Sequence, residues 1–75
     1  MKEWILYDGR AEFGDEDDAW IIESIETRKD LRNAIYAHRG MDAVLFEYDS
    51  DGATLTNGVK VGHIRLGKKL LQMCG

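Results

Sequence analysis

The chain has no proline, a single cysteine and no long apolar run. Without proline, nothing in the backbone chemistry forbids regular structure anywhere along it. Cys74 alone forms neither an internal disulfide nor a cysteine metal cluster, so a secreted, disulfide-stapled mini-protein is excluded. No apolar run reaches the roughly 18 residues of a membrane span, and Met1-Lys2-Glu3-Trp4 does not begin the apolar stretch of a signal peptide. The expectation is a cytoplasmic protein with no membrane partner. No Gly-x-Gly-x-x-Gly and no Walker pattern is present, so no nucleotide cofactor is expected.

Size is the next constraint. With 75 residues there is room for one domain. A chain of this length buries only about 60% of the surface it exposes when unfolded, so its core is thin. Hydrophobic residues at 44% and charged residues at 32% are the composition of a folded globular protein, not of a disordered one.

The net charge of −4 is unevenly spread. Residues 1–26 hold nine acids against Lys2 and Arg10, and residues 27–75 hold eight bases against five acids. Asp15-Glu16-Asp17-Asp18 is an unbroken acidic run, with Glu12 just before it. After Val59 come Lys60, His63, Arg65, Lys68 and Lys69 with no acidic side chain. Such asymmetry points either to electrostatic recognition of a partner or to two ends that neutralise each other in the fold.

Trp4-Ile5-Leu6-Tyr7, stopped by Asp8-Gly9, reads as a strand from Lys2 to Tyr7. Gly9 to Asp18, with two glycines and five acids, reads as a solvated loop. Ala19 to Ile25 reads as a second strand. A single helix from Asp18 to Arg39 fails, because its apolar phase would fall on Arg28 and Lys29. A separate helix fits better. Thr27 is its N-cap with Asp30 three residues on, and Leu31, Ala34, Ile35 and His38 form one face. Gly40 is placed to end it in a left-handed conformation. Ala43 to Tyr48 is the clearest strand, turning at Asp49-Ser50-Asp51-Gly52 into Ala53-Thr54-Leu55-Thr56 as a hairpin. Its inward face is either Val44, Phe46 and Tyr48 or Leu45 and its alternates. Asn57-Gly58 is a further turn signal, leaving Val59-Lys60-Val61 as a possible fifth strand. The expected class is α+β, an antiparallel sheet of four to five strands with one helix on one face, in the order ββαββ(β). Residues 1–66 form the domain, and 67–75 a basic tail or short helix.

Enzyme chemistry is not expected. Asp49-x-Asp51-Gly52 fails as a calcium loop, since glycine falls at the fourth place, Ala53 at the fifth and Lys60 at the twelfth. Asp15, Asp17 and Asp18 lack the supporting ligands of a hard-cation site, so no metal is assigned. Cys74 is next to last, where fraying is expected, and His38 lies on the apolar side of the helix. Trp4 and Trp20 fill the core or serve as aromatic anchors for a partner.

Three blocks of the chain, Trp4-Ile5-Leu6-Tyr7-Asp8-Gly9-Arg10-Ala11, Asp17-Asp18-Ala19 and Asp42-Ala43-Val44-Leu45-Phe46-Glu47-Tyr48-Asp49, resemble small uncharacterised proteins of phages and prophages. The resemblance spans most of residues 4–62 and carries no activity. It implies a host-cell context in which small phage proteins bind and redirect large host complexes, as anti-CRISPR proteins and inhibitors of host RNA polymerase do. It also suggests that Arg10 pairs with Asp17 or Asp18 across the acidic connection. The leading expectation is a non-enzymatic inhibitor of a host protein or complex, using Glu12, Asp15, Glu16, Asp17 and Asp18 against a basic groove. The alternatives are a nucleic-acid accessory protein using Lys60, His63, Arg65, Lys68 and Lys69, and a homo-oligomeric structural protein joined at sheet edges.

Overall fold

Trp4, Ile5, Leu6 and Tyr7 are all buried, as are Ala43, Val44, Leu45 and Phe46. Side chains alternate between the faces of a strand, so an unbroken buried run requires cover on both faces. The computed structural model, which describes residues 1–75, meets that requirement. Strands β1 (Lys2–Asp8), β2 (Ile21–Ile25), β3 (Ala43–Ser50) and β4 (Leu55–His63) form one antiparallel sheet in the order β2-β1-β3-β4. Helix α1 (Arg28–Ala37) links β2 to β3, and the short helix α2 (Lys69–Met73) follows β4. The class is α+β and the order ββαββ, as the residue pattern predicts.

One face of the sheet carries Trp4, Leu6, Ala43 and Leu45 and packs beneath Leu31, Ala34 and Ile35 of α1, with Ile25, Ile64, Leu70 and Cys74. Fully burying an aliphatic side chain contributes about 1.5–3 kcal/mol, so this layer is the main source of stability. The helix starts as expected: the Thr27 Oγ1 accepts from the Asp30 amide at 3.1 Å. It does not end as expected. The helix stops at Ala37, with His38 as C-cap and its amide donating to Ala34, and Gly40 is not among the positive-φ residues.

The opposite face carries Ile5, Tyr7, Val44 and Phe46, covered by Ala11 and Ala19. Both alternates of β3 are therefore inward, which is why its pattern showed no preferred face. The cover comes from the connection between β1 and β2. Gly9–Phe13 is a 3-10 turn capped by Asp8, whose side chain accepts from the Arg10 amide, and it drives Ala11 to 1% exposure. The reading of residues 9–18 as a plain solvated loop is corrected here: one small apolar residue anchors a segment otherwise too polar to suggest burial.

The central β1–β3 pair runs seven residue pairs without irregularity. The β1–β2 ladder shifts register at Leu6/Tyr7, and the β3–β4 ladder shifts twice. Between Glu47↔Val59 and Asp49↔Thr56, Asn57 and Gly58 face the single residue Tyr48. Asn57 has φ 55°, a left-handed conformation that asparagine tolerates better than most. Asn57-Gly58 is thus a bulge within β4, not a second turn, and Val59-Lys60-Val61 continues that strand instead of forming a fifth.

The C-terminal segment takes the short-helix form and belongs to the core. Leu70 is wholly buried and Cys74 is 8% exposed. Glu47 Oε2 accepts from both the Trp4 indole N–H and the Gly75 amide, each at 2.9 Å, and so ties the segment's end to the sheet. Cys74, where fraying is expected from its place near the chain end, is thus packed into the core layer.

Candidate functional site

The acidic run is held in a defined shape. Two successive turns close it, with the Asp18 amide donating to the Asp15 carbonyl at 3.0 Å and the Ala19 amide to the Glu16 carbonyl at 3.3 Å. Asp8 N–H donates to the Trp20 carbonyl at 3.0 Å where the connection rejoins the sheet. From below, a polar chain fastens it. An ionised carboxylate only accepts, so the Tyr48 hydroxyl donates to Glu16 Oε2 at 3.0 Å, and the Tyr7 hydroxyl donates to Tyr48 at 2.6 Å. Tyr7 is braced in turn by Phe46, ring edge to ring face at 5.3 Å. The Tyr48 hydroxyl is pushed well above its ordinary range, first by burial and then by its bonds to Tyr7 and Glu16.

This geometry divides the five acidic residues. Asp15, Asp17 and Asp18 are exposed. Glu16 is half-buried and faces inward as the loop's anchor. Glu12 is half-buried and lies 3.8 Å from the Arg65 guanidinium. Arg10 forms no ion pair, so the expected bond to Asp17 or Asp18 is not made: hydrogen-bonded turns and Tyr48 do the tethering instead. The two tryptophans also separate. Trp4 is core, whereas Trp20, next to the acidic run, is 74% exposed. Phe13, on the other side of the run, is 84% exposed. Sequence reasoning passed over Phe13, whose signal is an aromatic residue alone in a polar segment with no alternate partner.

The expected basic patch is also divided. Lys60, Arg65, Lys68 and Lys69 are exposed, but His63 is 8% exposed and is removed from the surface set. Its Nδ1 accepts from the Arg65 amide at 3.1 Å, and its Nε2 meets Asp42 Oδ1 at 2.7 Å. A backbone amide always donates, so the ring proton sits on Nε2 and points at the carboxylate. His63 therefore caps the 3-10 turn Ile64–Leu66 and holds the α1–β3 connection against β4. His38 makes a similar link to Glu23 at 3.0 Å.

Glu12, Asp42 and His63 place three ligand-type atoms within 4.8 Å of one another. A metal on Nε2 would need the ring proton moved to Nδ1, directly against the Arg65 amide. The donor set is thus arranged for a hydrogen-bonded cap and not for coordination. No protein-family model matches the chain, and no curated protein or solved structure does either. No helix is long and apolar enough to cross a membrane.

Proposed function

We propose that the chain is a non-enzymatic protein-binding module, an inhibitor of a host complex, whose working surface is the loop of Asp15, Asp17 and Asp18 flanked by Phe13 and Trp20. One observation carries this reading: Trp20 is 74% exposed beside a fixed acidic turn. Tryptophan is the residue most enriched at binding hot spots, and charge complementarity speeds and orients encounter with a basic partner. Fastening the loop through Glu16, Tyr48 and Tyr7 reduces the ordering cost of binding. The matching partner surface is a basic groove, including one built for nucleic acid, with an apolar notch for the indole. The resemblance to phage proteins supports the host-complex context.

The test is a pull-down from bacterial lysate with wild type, the triple variant Asp15→Asn/Asp17→Asn/Asp18→Asn, and Trp20→Ala. Glu16 is left intact because it holds the loop. A discrete partner lost with both variants is expected, and truncating a hot-spot tryptophan costs about 2 kcal/mol or more, roughly 30-fold in affinity. A partner retained by the triple variant refutes the reading.

A further inference from the structure

The opposite side of the molecule carries a different surface. Three depressions, of about 300, 410 and 380 Å³, lie along the seam between α1 and the C-terminal segment. They form one continuous groove, because Tyr36 and Lys68 border two of them and Arg32 and Leu71 another two. Six of the chain's ten Lys and Arg residues line it, and no Asp or Glu does. The six are Arg28, Lys29, Arg32, Arg39, Arg65 and Lys68. Lys29, Arg32, Arg39 and Lys68 form no ion pair; Arg65 has the distant contact with Glu12, and Arg28 Nη2 donates to the Leu71 carbonyl at 2.9 Å.

The spacing on α1 is regular. Arg28, Arg32 and Tyr36 follow at intervals of four and share one helix face, and Arg39 lies just beyond the helix end at the same depression as Tyr36. That face flanks the buried stripe of Leu31, Ala34 and Ile35, and Ile35 forms part of the floor beside Tyr36. Tyr36 is 46% exposed within it, with Arg32 one turn before it and Arg39 just past the helix end. A concave track of mostly unpaired cations concentrates positive potential, and an exposed ring inside it offers a stacking surface. The helical stripe from Arg28 to Tyr36 extends about 12 Å, the length of roughly three to four stacked nucleotides of a strand.

We propose that this groove binds single-stranded nucleic acid, with the phosphates on the arginines and lysines and one base stacked on Tyr36. A strand is favoured over a duplex because only an unstacked base can lie on the ring. The overall acidity of the chain does not oppose this, since the exposed Asp15, Asp17 and Asp18 belong to the connection over the other face of the sheet, and Glu12 is the one acid paired with a groove cation, Arg65. The inference is independent of the protein-binding role, because the two surfaces share no residue.

The experiment is fluorescence anisotropy of the full chain with a labelled single strand of about 12 nucleotides, DNA and RNA, at roughly 50 and 200 mM salt. Binding that weakens as salt rises is expected. Tyr36→Ala should weaken it about ten-fold at fixed salt, and Arg32→Gln and Lys68→Gln should each reduce the salt slope by about 0.7. All three positions are exposed, and circular dichroism verifies that the variants stay folded. The variant Asp15→Asn/Asp17→Asn/Asp18→Asn should bind the strand at least as tightly. Absence of binding at low salt, indifference to Tyr36→Ala, or a duplex or glutamate-rich peptide binding as tightly as the strand overturns the proposal.

Discussion

Replacing Tyr48 by Phe should loosen the acidic loop without disturbing the sheet beneath it. The substitution removes one oxygen. Phe retains the ring that stacks near Phe46 at 6.5 Å and lies against Gly58. What disappears is the donor to Glu16 and the acceptor for Tyr7. A hydrogen bond to a charged group contributes about 1.5–3 kcal/mol, and a buried hydroxyl left without a partner costs about 1–3 kcal/mol. The site is only partly buried, so water recovers some of both, and a net loss of about 1–3 kcal/mol follows. In a domain this small that lowers Tm by roughly 5–20 °C. The pH dependence gives a second signature. Burial and the two hydrogen bonds raise the Tyr48 hydroxyl above its ordinary value in the folded state. Its contribution is therefore complete below about pH 10, where the unfolded phenol begins to ionise, and is lost as pH climbs further. Tyr48→Phe should abolish that part of the alkaline loss. Thermal melts at neutral and alkaline pH, with hydrogen exchange at Gly14 to Ala19, measure both effects. A variant as stable as wild type with unchanged loop exchange would refute the tether.

Thr27→Ala should cost about 1 kcal/mol by removing the α1 cap, measured by urea unfolding. Asp51 is held below the usual carboxylate range by the amides of Thr54 and Ala53, and Asp49 by Lys2. Stability from these groups is present above about pH 4 and is lost as pH falls below it, so Asp51→Asn should flatten the acid limb of a Tm-versus-pH curve. Burial, then the nearby Glu47 charge, pushes the Cys74 thiol up, so thiol reagents should react slowly at neutral pH until denaturant is added. Zinc should leave the melting curve unchanged, since the Arg65 amide occupies the ring nitrogen opposite Asp42; a rise in Tm that His63→Ala removes would refute that assignment.

The elements legible in the sequence were those whose signal is local. Trp4 to Tyr7, Ala43 to Tyr48, the Thr27 cap and the Leu31/Ala34/Ile35 face needed no knowledge of distant partners. Asn57-Gly58 misled because the same dipeptide serves a hairpin turn and a bulge, and only pairing with Tyr48 decides between them. Ala11 gave no warning, being one small residue among acids. The exposure of Asp15, Asp17 and Asp18 was foreseeable from charge, but the inward role of Glu16 depends on Tyr48, 32 residues away. The basic groove was hidden for the same reason: its arginines on α1 and its lysine beside α2 meet only when Leu70 and Leu71 dock.

The bulges have a consequence for how this protein survives at high concentration. The inner pair β1 and β3 is regular, whereas both outer strands are interrupted, β2 near Ile22 and β4 at Asn57-Gly58 and again near Val61. A foreign strand laid along either rim meets only a short stretch of evenly spaced amides before the phase breaks. Fibrillar templating needs an uninterrupted rail, and this sheet keeps its only one in the middle.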